Sequence, residues 1–266
     1  MARLRYVKSL EQVKRTAEQN PEFLESTVRS LRVVYETAPA VAAALVPKPL
    51  LPSRPEICVT FSHVAMHVSP QVTIEIGSAI FGVRATYDGV EGIWLLTMPM
   101  TSEQAVIGGR ETYGEPKKIA KIEFHKDAER VSASVSRMGV VYLEAKGTLA
   151  EALGSRAFVE HGFCVKALPS CEPGRDFDGE PLLVRLDWKQ RHRLVNRVAG
   201  ELILRPSPFD LVADIPIRKL LRMEYEEGTS ESNGHVLRSI PGDWLLPFLH
   251  QRYDDPRAEG IEVVET

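Results

Sequence analysis

From residue 56 onward, apolar and polar residues alternate in short runs separated by brief polar turns. The runs at 56–68, 72–87, 90–98, 119–125 and 130–137 are followed by 140–147, 162–168, 182–190 and 195–204. A period of two predicts strands that bury one face. Tyr87-Asp88-Gly89-Val90 predicts a two-residue hairpin, because Asp and Gly tolerate the positive φ such a turn needs. Helical patterning is confined to a few places. Ser9 and Gln12 form a capping box that starts a helix running to about residue 19, and Pro21 opens a second short helix through about Leu31. A third helix is expected over 38–45, a proline-rich loop over 47–55, and a fourth helix between Thr101 and Thr112. Many hairpin-linked strands with few helices predict an α+β, mainly β fold, built on a large antiparallel sheet closed or nearly closed into a barrel with peripheral helices. Residues 1–30 read as a helical arm, 31–250 as the β domain, and 251–266 as an acidic tail.

The fourth helix delivers the segment Gly109-Arg110-Glu111-Thr112-Tyr113-Gly114-Glu115-Pro116-Lys117-Lys118. A lysine amine has an ordinary pKa of about 10.4 and is protonated at neutral pH. Removal from water, or a second cation nearby, frees it to attack a ketone and form a Schiff base. At an effective dielectric of about 20, two charges roughly 5 Å apart repel by about 3 kcal/mol, which is about two pKa units. The plain alternative is a solvated surface dipeptide.

The run Gly-Arg-Glu, then Gly114, then Pro116-Lys117-Lys118 resembles the active-site signature of the acetoacetate decarboxylase family. The resemblance extends through Val34–Glu36, the Val46-Pro47-Lys48-Pro49-Leu50 turn, Met66-His67, Thr73–Gly77, 163–169 and 178–183, covering about residues 30–225. It takes 201–217 as the final strand and its exit. It implies a cone-like barrel, with Lys117 as the Schiff-base lysine, Lys118 as the neighbour that lowers its pKa, and Glu75 as a proton-transfer group. Met98 is implied as a pocket residue supplying a flexible apolar wall, while Tyr113 either donates its hydroxyl to a substrate oxygen or packs. Arg110 and Glu111 either meet the substrate or form a structural ion pair at the helix end. Departures are equally specific. Glu115 stands where family members commonly have an aromatic residue, and is either solvated loop or a replacement acid/base. A second family glutamate falls near Ser62 and His63. The family's substrate-facing arginine has no clean match, with Arg29 and Arg32 flanking its place.

These features imply a Schiff-base lyase that decarboxylates a small β-keto acid. The alternatives are aldolase or dehydratase chemistry on a larger oxo acid, and a non-catalytic binding member of the fold. No cofactor is expected. His63 and His67 are four residues apart in a predicted strand, roughly 13 Å, too far for two ligands of one metal, and His67 reads as a structural residue. Net charge of −3 gives no electrostatic case for nucleic acid. No apolar run reaches the roughly 18 residues of a membrane span. Charged residues follow the N-terminal Met1-Ala2-Arg3 where a signal peptide would have an apolar core. With three cysteines (Cys58, Cys164, Cys171) and no C-x-x-C pair, free structural thiols and a cytoplasmic location are expected. A homo-oligomer is expected from the family habit. The acidic stretch 223–227 and the tail from Asp254 read as solvated surface.

Overall fold

The computed structural model describes residues 4–19, 24–69, 72–255, 257 and 259–264. Helix α1 (Leu10–Gln19) starts where its capping box places it. The Ser9 N–H donates to Gln12 Oε1 at 2.9 Å and the Gln12 N–H donates to Ser9 Oγ at 3.2 Å. The second expected helix is overturned, because strand β1 runs Leu24–Glu36. Its residues 25–30 alternate exposed and buried with period two, and residues 21–23 lie outside the described residues. Helix α2 (Pro39–Ala44) follows as expected, and β2 (Leu51–Ser69) begins inside the expected loop. Strands β3 (Val72–Tyr87) and β4 (Val90–Met100) are joined by the Asp88-Gly89 turn, with φ of 49° and 75°. Helix α3 (Glu103–Tyr113) leads to β5 (Lys117–Ile119), β6 (Lys121–Asp127) and β7 (Arg130–Arg137). The long strands β8 (Val140–Lys166) and β9 (Leu182–Leu204) each fuse two expected strands. The exit expected by residue 217 leads into a further strand, β10 (Lys219–Ser239), which the sequence reading missed.

The strands form one sheet in the order β5-β4-β3-β2-β1-β10-β9-β8-β7-β6. Most neighbours are antiparallel, but β4 pairs in parallel with both β5 and β8, so the sheet is mixed and not the antiparallel one expected. The β4–β8 pairing, Ile93 with Gly162 and Trp94 with Phe163, links the two flanks and makes a ring of seven strands from β4 through β1 and β10 to β8.

Side-chain parity divides the ring wall into two faces. On β1, β2 and β3 the even positions, such as Val28, Val64 and Ile76, face the interior, where they line a cavity. The odd positions change character along the strands. Arg29, His63 and Glu75 are outward at one end. Beyond the paired row Leu31–Phe61–Ala79, odd residues join the main core with Val131, Ala133 and Val135 of β7, which folds over that face. Fully buried Leu31, Phe61 and Phe81 each add roughly 1.5–3 kcal/mol to folding. A smaller cluster, including Cys58, Ile93, Leu95, Met98 and Cys164, fills the ring.

Candidate active site

The Gly-Arg-Glu to Lys-Lys segment is a helix end followed by a strand, and each residue type has a local reason. Ser102 caps α3, its hydroxyl accepting the Ala105 N–H, and Gly114 ends it in the left-handed region at φ 74°. A Cβ on Gly114 would lie 2.3 Å from Lys166 Cα, so both φ and space require glycine there. Pro116 has no N–H to donate, but its carbonyl accepts the Met98 N–H at 3.0 Å. Pairing then sets Lys117 opposite Met98 and Lys118 opposite Pro99.

Being consecutive in a strand, the two lysines point to opposite faces. Lys117 points into the ring with its side chain 12% exposed, and its Nζ lies 2.7 Å from Oε2 of Glu115, itself only 7% exposed. Of the two readings left open for Glu115, solvated loop is excluded by its burial. Gly109 makes the pair possible. A Cβ there would sit 2.1 Å from Glu115 Oε2 and 2.6 Å from both Cδ and Nζ of Lys117.

Lys118 is buried on the other side. Its Nζ donates to Asp254 Oδ1 at 2.7 Å and to the Phe209 carbonyl at 3.0 Å, and lies 3.7 Å from Asp210. Arg137 bridges the same two aspartates. The geometry therefore gives Lys118 a carboxylate partner and no view of the Lys117 cavity. Asp254 is correspondingly not the solvated tail residue expected. Burial would raise its carboxyl, but hydrogen bonds from Arg137 and Lys118 outweigh that and hold it below the usual aspartate range.

Lys117 and Glu115 lie where two spaces meet. One is an interior cavity of about 160 Å³, walled by Met98, Met100, Ile76 and a set of serines, with Arg32 and Glu160 also lining it. The other, of about 360 Å³, runs along α3 past Tyr113 and shares Met66, Ile76, Trp188 and Ser232 with the first. Met98 lines the first of these spaces. Tyr113 lines the second space, where burial, and then Glu115, push its phenol up from the usual value.

Other expected residues lie elsewhere. Glu75 is at an odd position of β3, 69% exposed, with His63 Nε2 at 3.6 Å as its partner. The interior position one residue on is Ile76. Arg110 fixes the loop from behind, donating to the carbonyls of Lys117 at 3.0 Å and Arg252 at 3.2 Å and stacking on Tyr253. Glu111 is exposed on α3, so neither residue meets the cavity. His67 is held between Thr27 and Thr73, as a structural histidine would be.

Of the two flanking arginines, Arg29 faces outward toward His63, and Arg32 faces the cavity. Arg32 is already engaged. Its Nη1 donates to both oxygens of Glu160 at 2.8 and 2.9 Å, and its Nε to Glu226 at 3.2 Å. Glu226 is fully buried, not the surface residue expected, and also meets Arg156 and His192. Burial would raise its carboxyl, but Arg32, His192 and Arg156 together hold it below the ordinary range. Sequence reasoning missed Glu160, Glu226 and Trp188. The even-position polar alternation of β1 was the available signal, and reading that stretch as helix hid it. Cys58 and Cys164 are buried free thiols, and burial pushes Cys58 up to about 11.

Among the described residues no helix is long and apolar enough to cross a membrane, and no group of three or more His, Cys, Asp or Glu is placed to hold a metal. A ring of strands thus holds an amine and a carboxylate at the edge of a cavity. The chain belongs to the acetoacetate decarboxylase family, whose model matches residues 11–238. It is 27% identical over 202 residues to the acetoacetate decarboxylase of Chromobacterium violaceum, spanning 71% of this chain and 77% of that one. It is 31% identical over 121 residues to the CLA biosynthesis isomerase of Lactiplantibacillus plantarum, 44% of this chain and 42% of the relative. The fold is similar to that of the acetoacetate decarboxylase from Legionella pneumophila, with a TM-score of 0.69 at 18% identity, covering 88% of this chain and 98% of that one. It is equally similar, at 0.69 and 14% identity, to the enduracididine biosynthesis enzyme MppR complexed with the condensation product of pyruvate and imidazole 4-carboxaldehyde, covering 84% and 93%.

Proposed function

We propose that the protein is a Schiff-base-forming lyase that decarboxylates a small β-keto acid on Lys117. The observation that carries this reading is the Lys117–Glu115 pair, 2.7 Å apart at the edge of a small interior cavity. An amine nucleophile needs a base to take its proton and an acid to release water from the carbinolamine, and one adjacent carboxylate serves both steps. Glu115 takes the ammonium proton, and Nζ adds to the ketone carbon. Glu115 then returns the proton to the departing hydroxyl, leaving water and a protonated imine. Breaking the bond to the carboxylate releases carbon dioxide and sends its electron pair to the imine nitrogen. The enamine takes a proton at carbon, and water hydrolyses the resulting imine. Arg110 supports this as a positioning residue through the Lys117 carbonyl. Lys118 anchors the reverse face of the strand.

A second reading keeps the imine for aldol or dehydration chemistry. Two observations favour it: a carboxylate stands beside the nucleophile, and Arg32 is held by Glu160 and Glu226, leaving the interior cation already paired. The family likeness and fold similarity to MppR are compatible with either reaction. Borohydride trapping with acetoacetate and with pyruvate, followed by mass spectrometry of the Lys117 peptide and measurement of carbon dioxide, separates them. Decarboxylation predicts an acetoacetate adduct with release of carbon dioxide. A pyruvate adduct with exchange of its methyl protons and no carbon dioxide from acetoacetate selects the second reading. No adduct with either acid overturns both and leaves a ligand-binding member of the fold.

A further inference from the structure

The inner cavity has an unusual wall for a site meant for a small anion. Beside its apolar side chains, Lys117 and the carboxylates Glu115 and Glu160, its polar lining is mostly hydroxyls, and its single arginine is consumed by carboxylates. The hydroxyls are ordered by strand register. Ser78 of β3 pairs with Ser62 of β2, and Ser62 pairs with Ser30 of β1, making a row across three adjacent strands. Ser26 of β1 pairs with Ser230 of β10, a second row that continues to Gln190 of β9. All six of these residues line the cavity. Parity explains the arrangement, since paired residues in antiparallel neighbours share a face.

Each serine offers one donor and two acceptor sites. Ser30 and Ser62 share one hydrogen bond, at 2.7 Å, leaving most of their capacity for a ligand. Ser26, only 7% exposed, lines the cavity without a side-chain hydrogen-bond partner among the described residues. Nearly buried hydroxyls turned toward a space beside a nucleophile are complementary to a chain bearing hydroxyls of its own. A second carboxylate placed there would meet Glu160 and an arginine with no free charge.

Building on the reading of Lys117 as the imine-forming residue, we propose that the substrate is a hydroxylated oxo compound. Its carbonyl meets Lys117 and its hydroxyl-bearing carbons lie along the serine rows. A site built to hydrogen-bond hydroxyls discriminates strongly against an analogue that lacks them, because its polar groups then go unpaired.

The test compares two six-carbon 2-oxo acids, 2-keto-3-deoxygluconate with three hydroxyls and 2-oxohexanoate with none, by borohydride trapping at graded concentrations. The half-saturating concentration is expected to be at least about tenfold lower for the hydroxylated acid. The ratio should fall toward one in a Ser30→Ala, Ser62→Ala double variant. Saturation-transfer NMR on untreated protein reads the same preference without requiring an imine, and pyruvate trapping reports on Lys117 separately. Equal half-saturation for the two acids, or a ratio unmoved by the serine substitutions, overturns the hydroxyl assignment even where pyruvate is trapped. Trapping of neither pyruvate nor acetoacetate overturns the lysine reading, and equal NMR contacts for the two acids then overturn the hydroxyl assignment as well.

Discussion

Two adjacent glycines on α3 allow the lysine site to be tested with a built-in control. A methyl on Gly109 would fall 2.1 Å from Glu115 Oε2, whereas ordinary contact begins at 3.4 Å, so the carboxylate must retreat by about 1.3 Å. It must also clear Cδ and Nζ of Lys117, both 2.6 Å away. Because these are ends of flexible side chains and not backbone, the stability cost of Gly109→Ala belongs at the low end of overpacking, about 1 kcal/mol. The chemical cost is larger, since a misplacement of about 1 Å removes roughly a hundredfold of rate. At Gly108 a methyl meets nothing within 4 Å. Gly108→Ala is therefore expected to stabilise the helix by up to about 1 kcal/mol and leave the chemistry alone. The assay pairs denaturant unfolding with the initial rate of borohydride trapping at Lys117. Wild-type trapping by Gly109→Ala, or an equal loss in Gly108→Ala, would refute the claim that the Lys117–Glu115 contact governs imine formation.

Three further outcomes are expected. Glu115→Gln retains Lys117 but removes its proton acceptor, so turnover should fall by about 10²–10⁴-fold. Unchanged kcat for the trapped substrate would remove Glu115 from the mechanism. Lys118→Met breaks the contact with Asp254 while Arg137 still satisfies both aspartates. It should therefore cost about 2 kcal/mol, below the usual penalty for an orphaned buried charge, and make residues after 250 more sensitive to limited proteolysis while Lys117 trapping persists. Loss of trapping with unaltered stability would restore Lys118 to the chemistry. Stability should also decline toward acid. Burial, only partly offset by Glu226, holds His192 below its ordinary 6.5, so the unfolded chain protonates first as pH falls through that value. Glu226, held below 4.5, adds a second decline lower down, because its stabilising charge is lost as pH falls through its folded value. Unfolding midpoints that stay flat as pH falls from 7.5 to about 5 would contradict the His192 assignment, and midpoints that stay flat from there down to about pH 2 would contradict the Glu226 one.

The parts of this fold that depend on neighbours along the chain were readable. The Ser9–Gln12 capping box, the Asp88-Gly89 turn and helix α3 stand where local rules put them. The parts that depend on partners distant in sequence were not. Strand β10 carries Glu224, Glu226 and Glu227, which locally resemble a solvated edge. Glu224 and Glu226 are buried because Arg32 of β1, Arg156 of β8 and His192 of β9 converge on them. The residues opening β1 lack a long apolar run, and their interior serines and Arg32 make sense only once a polar cavity is known to lie behind them.

The same distinction explains why the motif leads to a buried lysine beside the cavity but does not reveal what surrounds it. A signature records which residues are adjacent in sequence, whereas a strand sends consecutive side chains to opposite faces. Lys117 and Lys118 are neighbours in the chain and strangers in space, and Glu75 misses the interior by one residue for the same reason. The charge that does reach Lys117 Nζ comes from Glu115, two positions away and therefore able to turn to the same side. Lys118 Nζ, by contrast, meets Asp254 and Asp210 on the opposite face of the strand. On the proposed reading the first event is transfer of a proton from Lys117 to Glu115, so this contact is where the reaction is most open to perturbation.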